Sequence, residues 1–331
     1  MQPLNSALSY AAGLAAPRRC GTIARMDDNF TGSDCFTDVS GLRVGHAHDA
    51  AARTGVTVIL PAAPVVMAVD VRGGGPGTRE TDALAPHTLV ERVHALVLSG
   101  GSVFGLAAAD AVAVALSRCG IGLRAGPLPI PVVPAAILFD LANGGDKDWA
   151  EPPYRTLAEA AVAAAGTADR SGALGAGYGA RAGSRAGGIG SVSIGVPGGY
   201  RVGVLVAVNS FGEVYAGAPP DGPVPMPKLA IGTGLAANDP SAPQNTCIGA
   251  VATDAPLTRA QAQRLAMMAH DGLARALRPI HTPFDGDTLF SLSTAAPGLT
   301  PVDAVQLTLL GTLAADCIAR AVRRAVFGRL P

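Results

Sequence analysis

The chain has 331 residues, a formal net charge of zero and 49% hydrophobic residues. This length allows one large domain or two smaller ones, and the hydrophobic content supports a sizeable core, which excludes a disordered chain. Only 15% of the residues are charged and no basic tract is interleaved with aromatic residues, so nucleic acid is not expected as a partner. The sequence has no apolar run of membrane-spanning length, so we expect no membrane association either.

The five cysteines are scattered and show no C-x-x-C spacing. We therefore expect neither a disulfide framework nor a zinc site, and a reducing compartment fits this pattern better. The apolar N-terminal residues lack the charged start of a signal peptide. The sequence thus predicts a cytoplasmic protein without a metal or a cofactor.

Residues 1–38 show no clear hydrophobic periodicity and are predicted to form a loosely ordered N-terminal arm. From residue 39 to residue 331 the pattern is that of a single α/β domain. Three short β-branched runs predict strands buried on both faces, at residues 56–60, 65–71 and 95–98.

Two helices are predicted in the first half of this domain. The Ala-rich segment 102–116 is apolar almost all round, which is typical of a buried helix. Thr156 and Glu159 have the spacing of a capping box, which predicts a helix that begins at Thr156 and ends at Gly166.

In the second half, residues 189–194 and 200–208 predict a hairpin, and residues 213–215 are expected to continue it as a meander. A Pro-, Gly- and Asn-rich stretch follows from residue 216 to residue 244. A loop of this length inside a compact domain is usually functional or mobile.

Two more helix starts are predicted near the C-terminus. Thr258 and Gln261 form a second capping box, for a helix that runs to about Leu277. Thr300 followed by Pro301 predicts the N-cap and first residue of the last helix.

The pair Asn245-Thr246 stands between the long loop and a short apolar strand. If the peptide bond between these residues is cut, Thr246 gains a free α-amino group beside its own hydroxyl. Such an amine can act as the base that activates the hydroxyl as a nucleophile. An ordinary strand start is the alternative interpretation of the pair.

Three polar residues elsewhere could support such a nucleophile. Asn209 ends an apolar strand, and its side-chain amide could donate to a developing oxyanion. Asp285 and Asp287 flank a glycine just before a strand. Neighbouring carboxylates split their pKa values, so one of them can hold or tune an ammonium group. Simple turns are the alternative for both features.

Two glycine-rich turns, at residues 72–78 and 98–102, follow predicted strands. Backbone N–H groups in such turns can bind an anion. The first turn lacks the Gly-Lys-Ser/Thr ending of a P-loop, and Pro76 removes one donor. Close-packed structural turns are the alternative for both segments.

Taken in this order, the segments resemble the L-aminopeptidase/D-esterase family of self-processing N-terminal nucleophile hydrolases, which also includes β-peptidyl aminopeptidases and nylon-oligomer hydrolases. The resemblance covers about residues 39–325 and depends on the joint order of motifs that are weak singly. The matching stretches are 41–46, 54–58, 69–81, 98–102, 132–140, 175–179, 187–190, 208–209, 245–246 and 285–287.

The resemblance implies a four-layer αββα sandwich and a precursor cut into an α chain (1–245) and a β chain (246–331) that stay associated. It also implies hydrolysis of amide or ester bonds in small aminoacyl, short peptide or oligoamide substrates through a Thr246 acyl-enzyme. Asn209 is then the oxyanion donor, while Asp285 and Asp287 position and polarise the nucleophile. Members of the family usually assemble as homo-tetramers or larger oligomers.

One departure from the family concerns a lysine that many members carry directly before the Gly-Gly stretch. Here Ala186 takes that place beside Arg185. Arginine does not carry protons near neutral pH, although it can stabilise charge. Two other functions therefore stay open: an ornithine-acetyltransferase-like acyl transferase, and an unprocessed, non-catalytic relative that binds an anion at the glycine-rich turns.

Overall fold

The computed structural model describes residues 34–222 and 245–328, which form a mixed α/β fold as the sequence predicts. The helices are α1 (Ala107–Arg118), α2 (Tyr154–Ala163), α3 (Arg259–Ala274) and α4 (Ala304–Phe327). The strands before α2 are β1 (Leu42–Asp49), β2 (Thr54–Pro61), β3 (Val66–Val71), β4 (Thr78–Arg79), β5 (Leu96–Ser99) and β6 (Ala135–Ile137). The strands after α2 are β7 (Arg181–Ala182), β8 (Arg185–Ala186), β9 (Gly188–Gly195), β10 (Arg201–Val208), β11 (Glu213–Val214), β12 (Ile248–Thr253), β13 (Leu277–Arg278) and β14 (Thr288–Ser293).

Two five-stranded sheets carry most of these strands. The first sheet has the order β1-β2-β5-β6-β4, and the second has the order β3-β14-β12-β10-β9. Within them, β5 pairs with β6 and β12 pairs with β14 in parallel, whereas the other neighbours are antiparallel. The strand that follows Thr246 therefore lies at the centre of the second sheet.

Alternate side chains of the central strands enter different hydrophobic clusters, because successive residues of a strand point to opposite faces. In β10, Val204 packs in a cluster with α3 and α4, whereas Leu205 belongs to a cluster that both sheets share. In β2, Val58 packs with α1 and α2, whereas Ile59 enters the shared cluster. Burial on both faces explains the nearly continuous apolar runs of the sequence.

Two predicted helix starts are wrong. Helix α2 begins at Tyr154, after Pro153, and not at a Thr156 cap; proline presets a helical φ, and the Tyr154 side chain is fully buried. Helix α4 begins at Ala304 because the Asp303 side chain accepts a hydrogen bond from the Gln306 N–H at 2.8 Å. The capping box at Thr258 is confirmed, although α3 ends at Ala274 instead of Leu277.

The predicted hairpin is confirmed as β9 and β10, but its continuation as a meander is wrong. Strand β11 leaves the second sheet and pairs with β13, which is formed by residues expected at the end of α3. The predicted helix at 102–116 is present, but its first turn, Ser102–Leu106, is a 3-10 helix.

The end of the predicted N-terminal arm belongs to the core, while residues 1–33 lie outside the described part of the chain. Phe36 is fully buried, and its N–H donates to the Ser191 hydroxyl at 2.8 Å. Asp34 forms ion pairs with Arg320 and Arg324 of α4. Residues 34–38 are thus fixed against the second sheet and are not loosely ordered.

Two global features bear on the cellular predictions. Cys247 and Cys317 are buried free thiols, whereas Cys119 is disulfide-bonded, a bond that the sequence did not indicate. Within residues 34–222 and 245–328, α4 is the one helix long and apolar enough to cross a membrane. Half of its most apolar stretch is buried, and the helix packs on β9 and β10.

Candidate active site

Thr246 lies just before β12, and the residue is only 4% exposed. Its backbone N–H donates to the main-chain carbonyl of Asn209 at the end of β10. Its φ of 156° is a value that residues with a side chain rarely adopt. Asn245 is equally buried, and its Nδ2 has no hydrogen-bond partner within the described residues.

The turn between the two predicted aspartates contacts the Thr246 hydroxyl. The backbone N–H of Gly286 donates to Thr246 Oγ1 at 3.0 Å. A side chain at Gly286 is excluded because its Cβ would lie 2.7 Å from the same oxygen. The turn therefore presents a backbone donor to the hydroxyl at a distance that only glycine allows.

Asp287 is fully buried and holds the residue that follows Thr246. Its Oδ1 accepts a hydrogen bond from the Cys247 N–H at 2.7 Å. Its Oδ2 accepts from the His281 backbone N–H at 3.1 Å and lies 2.8 Å from His281 Nδ1. His281 received no role in the sequence analysis.

Asp285 is also fully buried, and its Oδ2 accepts hydrogen bonds from the Thr282 N–H at 2.8 Å and the Thr282 hydroxyl at 2.6 Å. Burial, and secondly the charge of Asp287, raise the pKa of Asp285. Burial and the same carboxylates raise the pKa of the Cys247 thiol, which makes a thiolate nucleophile unfavourable at this position.

Asn209 is fully buried and is held by both of its side-chain atoms. Its Nδ2 donates to the Phe139 carbonyl at 3.0 Å, and its Oδ1 accepts from the Arg181 N–H at 2.8 Å. An amide nitrogen carries two hydrogens, so among the described residues one donor position of Nδ2 is left after the bond to Phe139. The main-chain carbonyl contact to Thr246 is a second role, which the sequence did not indicate.

The glycine-rich turn at 72–78 packs against the Asp285–Asp287 turn. The Arg72 N–H donates to the Asp287 carbonyl at 2.9 Å, and the Gly75 N–H donates to the Asp285 carbonyl at 2.7 Å. A Cβ at Gly73 would lie 2.2 Å from the Asp285 carbonyl oxygen. The turn is a close-packed support of the candidate site, and these donors are already used.

The turn at 98–102 binds a carboxylate of the chain itself. The Gly101 N–H donates to Asp140 Oδ1 at 2.8 Å, and Asp140 is fully buried. The neighbouring N–H groups of Gly100 and Ser102 donate to backbone carbonyls. The N–H groups of Gly100, Gly101 and Ser102 are thus all used within the chain, which argues against anion binding at this turn.

Ala186, which stands where many members of the family have a lysine, lies in the hairpin of β7 and β8, close to Asn209. Ala186 pairs with Arg181, whose N–H is bound to the Asn209 side chain. Arg185 does not replace the lysine, because its guanidinium carbon lies 5.2 Å from the centre of the Phe327 ring. The described structure therefore has no lysine ammonium at this place.

All predicted site residues come together: Thr246 contacts Asn209 and Gly286, and the aspartates on either side of Gly286 hold the surrounding backbone. The sequence did not indicate His281 or the Gly286 N–H. The motif at 281–287 contains both, but their contacts depend on the three-dimensional arrangement.

The profile of peptidase family S58 matches residues 34–328. A protein of Mycobacterium tuberculosis (strain ATCC 25618 / H37Rv), described as an uncharacterized aminopeptidase, is 42% identical over 334 residues, covering 89% of this chain and 94% of that protein. A 6-aminohexanoate-oligomer endohydrolase of Paenarthrobacter ureafaciens is 29% identical over 316 residues, covering 87% and 84%.

Among solved structures, the L-aminopeptidase D-Ala-esterase/amidase of Ochrobactrum anthropi is similar with a TM-score of 0.67. It is 23% identical, the match covers 89% of this chain and 87% of that one, and its fold is described as a variant of the Ntn hydrolase fold. The resemblance stated from the sequence is confirmed, and the chain shares this fold.

Proposed function

The chain belongs to peptidase family S58, and we propose that it is a hydrolase of the N-terminal nucleophile type whose nucleophile, Thr246, is released by cleavage of the Asn245–Thr246 bond. One observation carries the proposal. The Thr246 hydroxyl is buried and bound at 3.0 Å to the N–H of Gly286, the residue between Asp285 and Asp287, and the Thr246 N–H is bound to the Asn209 carbonyl.

Three features support self-cleavage at this bond. Both residues of the bond are buried, which disfavours attack by another protease on the folded chain. The φ of 156° places Thr246 in a region of backbone conformation that costs free energy. The Thr246 N–H is bound to Asn209, so the bond is held in one orientation.

In the cleavage step, Thr246 Oγ adds to the Asn245 carbonyl carbon, the C–N bond breaks, and the nitrogen takes the hydroxyl proton. This step frees the Thr246 amine, and water then hydrolyses the resulting ester to give the Asn245 carboxylate and the Thr246 hydroxyl. At neutral pH this amine brings positive charge to a site that contains two buried carboxyl groups, Asp285 and Asp287.

In turnover, the Thr246 amine in its unprotonated form takes the hydroxyl proton while Oγ attacks the carbonyl of the substrate. The remaining N–H of Asn209 Nδ2 donates to the oxyanion, and the proton passes to the departing amine or alcohol. Water then releases the acyl group from Thr246. Loss of one oxyanion donor typically lowers the rate on the order of a hundredfold or more.

The substrates we propose are small aminoacyl amides or esters, short peptides and oligoamides. The descriptions of the relatives support this class, since one is an endohydrolase of 6-aminohexanoate oligomers. Transfer of the acyl group to an amine, as in ornithine-acetyltransferase-like enzymes, is the second candidate. Product analysis with an added amine acceptor distinguishes transfer from hydrolysis.

We further infer the layer order helix, sheet, sheet, helix, which is supported by the one cluster that both sheets share and the two clusters that each contain a helix pair. The α chain (1–245) and the β chain (246–331) would stay associated, because β12 lies between β10 and β14. We also propose that the protein is cytoplasmic and that it assembles as a homo-tetramer or a larger oligomer.

The decisive experiment is the intact mass of the purified protein, compared with that of a Thr246→Ala variant. We expect two fragments from the wild type, the smaller beginning with Thr246, and one uncut, inactive chain from the variant. A wild type that hydrolyses aminoacyl p-nitroanilides while its mass equals that of the uncut chain would contradict the proposal.

A further inference from the structure

The two oxygens of the Asp287 carboxylate bind to two different parts of the chain. Oδ1 is bound to the Cys247 N–H at 2.7 Å, and Oδ2 faces His281, with distances of 3.1 Å to the backbone nitrogen and 2.8 Å to Nδ1. A carboxylate only accepts hydrogen bonds, so the proton in the ring contact is carried by His281 Nδ1. The imidazole thus adds a donor to a carboxylate that is fully buried.

The His281 ring is itself held in place. It meets the His270 ring edge to face, with 5.0 Å between the ring centres, and His270 Nε2 lies 3.0 Å from the Asp70 carbonyl oxygen. Burial lowers the pKa of His270 to about 4, so this neighbour is neutral at neutral pH. A neutral, buried ring beneath His281 fixes its orientation without competing for Asp287.

The orientation of Asp287 is transmitted to Thr246 by two short routes. The Cys247 N–H bound to Asp287 belongs to the residue directly after Thr246, and the Gly286 N–H bound to Thr246 Oγ1 belongs to the residue directly before Asp287. Without the imidazole, a buried carboxylate loses a charge-assisted hydrogen bond beside a second carboxyl group, Asp285. Rotation of Asp287 would then displace both contacts.

We propose that His281 is a positioning residue: its Nδ1–H holds Asp287 in the orientation that places the Thr246 hydroxyl for attack. The inference rests on the proposed function, since it assigns to His281 an effect on the Thr246 nucleophile. His281 side-chain exposure is 21%, so a small molecule can reach the space that a smaller residue would leave.

The test compares His281→Gly, His281→Asn and a control, His87→Gly, in an exposed loop. Glycine tolerates the φ of 56° at position 281 and removes the imidazole without backbone strain. Asparagine also tolerates this conformation, and its Nδ2 can donate in place of Nδ1. Rates are measured per newly formed Thr246 N-terminus, together with the melting temperature of each protein.

We expect kcat of His281→Gly to fall on the order of tenfold to a hundredfold, the range for a slightly misplaced reacting group, with little change in KM. His281→Asn and added free imidazole should each restore part of kcat, and imidazole should not change the control. A His281→Gly protein with wild-type kcat would overturn the inference, as would a loss of kcat that neither asparagine nor imidazole restores. If the wild type is uncut and inactive, the proposed function fails before any His281 variant is compared.

Discussion

The Thr246 hydroxyl and the Gly286 N–H are joined by a 3.0 Å hydrogen bond across 40 positions of sequence. The contact connects the start of β12 to the turn before β14, and these two strands are parallel neighbours in the second sheet. The aspartates on both sides of Gly286 are therefore fixed relative to the hydroxyl by the pairing of the sheet.

Replacement of Thr246 by serine keeps the hydroxyl and removes only a buried methyl group. We expect Thr246→Ser to cut itself and to hydrolyse substrate, with a loss of stability of about 1 kcal/mol. Intact mass and turnover of an aminoacyl p-nitroanilide check this expectation. An uncut Thr246→Ser protein would show that the hydroxyl alone is not sufficient.

A methyl group at Gly286 has no room. Its Cβ would lie 2.7 Å from Thr246 Oγ1 and 2.7 Å from the Gly75 carbonyl oxygen, so Gly286→Ala should displace the hydroxyl and cost about 1–3 kcal/mol in stability. We expect slow or absent self-cleavage, measured as the fraction of cut chain over time. The control is Gly195→Ala, where no atom lies within 4 Å of the added Cβ; equal cleavage in both variants would argue against the Thr246 contact.

Truncation of Asn209 tests the oxyanion donor. Asn209→Ala removes the bonds to Phe139 and Arg181 but leaves the main-chain carbonyl that accepts from Thr246. We expect kcat of the cut enzyme to fall on the order of a hundredfold. Asn143→Ala is the matched control, because Asn143 is another buried amide that donates to two carbonyls. Its loss should lower the melting temperature and leave kcat unchanged, and a similar kcat in both variants would contradict the role of Asn209.

The buried carboxyl group of Asp140 predicts a dependence of stability on pH. Burial raises its pKa above the ordinary value of 3.8, so the folded chain binds this proton more tightly than the unfolded chain. The resulting stabilisation is complete below about pH 4 and is lost as the pH rises through the raised pKa. Asp140→Asn has no such proton, and its carbonyl oxygen can still accept from the Gly101 N–H.

The measurement is the melting temperature of both proteins between about pH 4 and about pH 8. Relative to Asp140→Asn, the wild type should become less stable as the pH rises. A difference between the two proteins that stays constant over this range would show that Asp140 does not take up a proton on folding.

The sequence predicted the local elements correctly where the residue pattern is compatible with only one type of secondary structure. The runs that became β2 and β5 are buried almost throughout, and Thr258 has its capping partner three residues away. The run that became β3 also forms a strand, but this strand lies at the edge of its sheet and only Met67 and Ala68 are buried in it. The prediction failed at Thr156 and Thr300, because a residue that can cap a helix does so only if packing starts the helix there. Pro153 with buried Tyr154, and Asp303 before α4, decided those starts instead.

The sequence by itself determined the residues of the proposed site: Asn245 and Thr246 after a long loop, Asn209 at a strand end, and two aspartates around a glycine. The motifs carry this information because their residue types and order are visible without coordinates. Only the tertiary structure decided which partner each N–H group and each buried carboxylate binds. It gave the Gly101 donor to Asp140, the Gly75 donor to the Asp285 carbonyl, and the Asp287 carboxylate to His281. Each of these bonds depends on how the strands and turns pack, and a buried donor or acceptor takes the partner that packing places beside it.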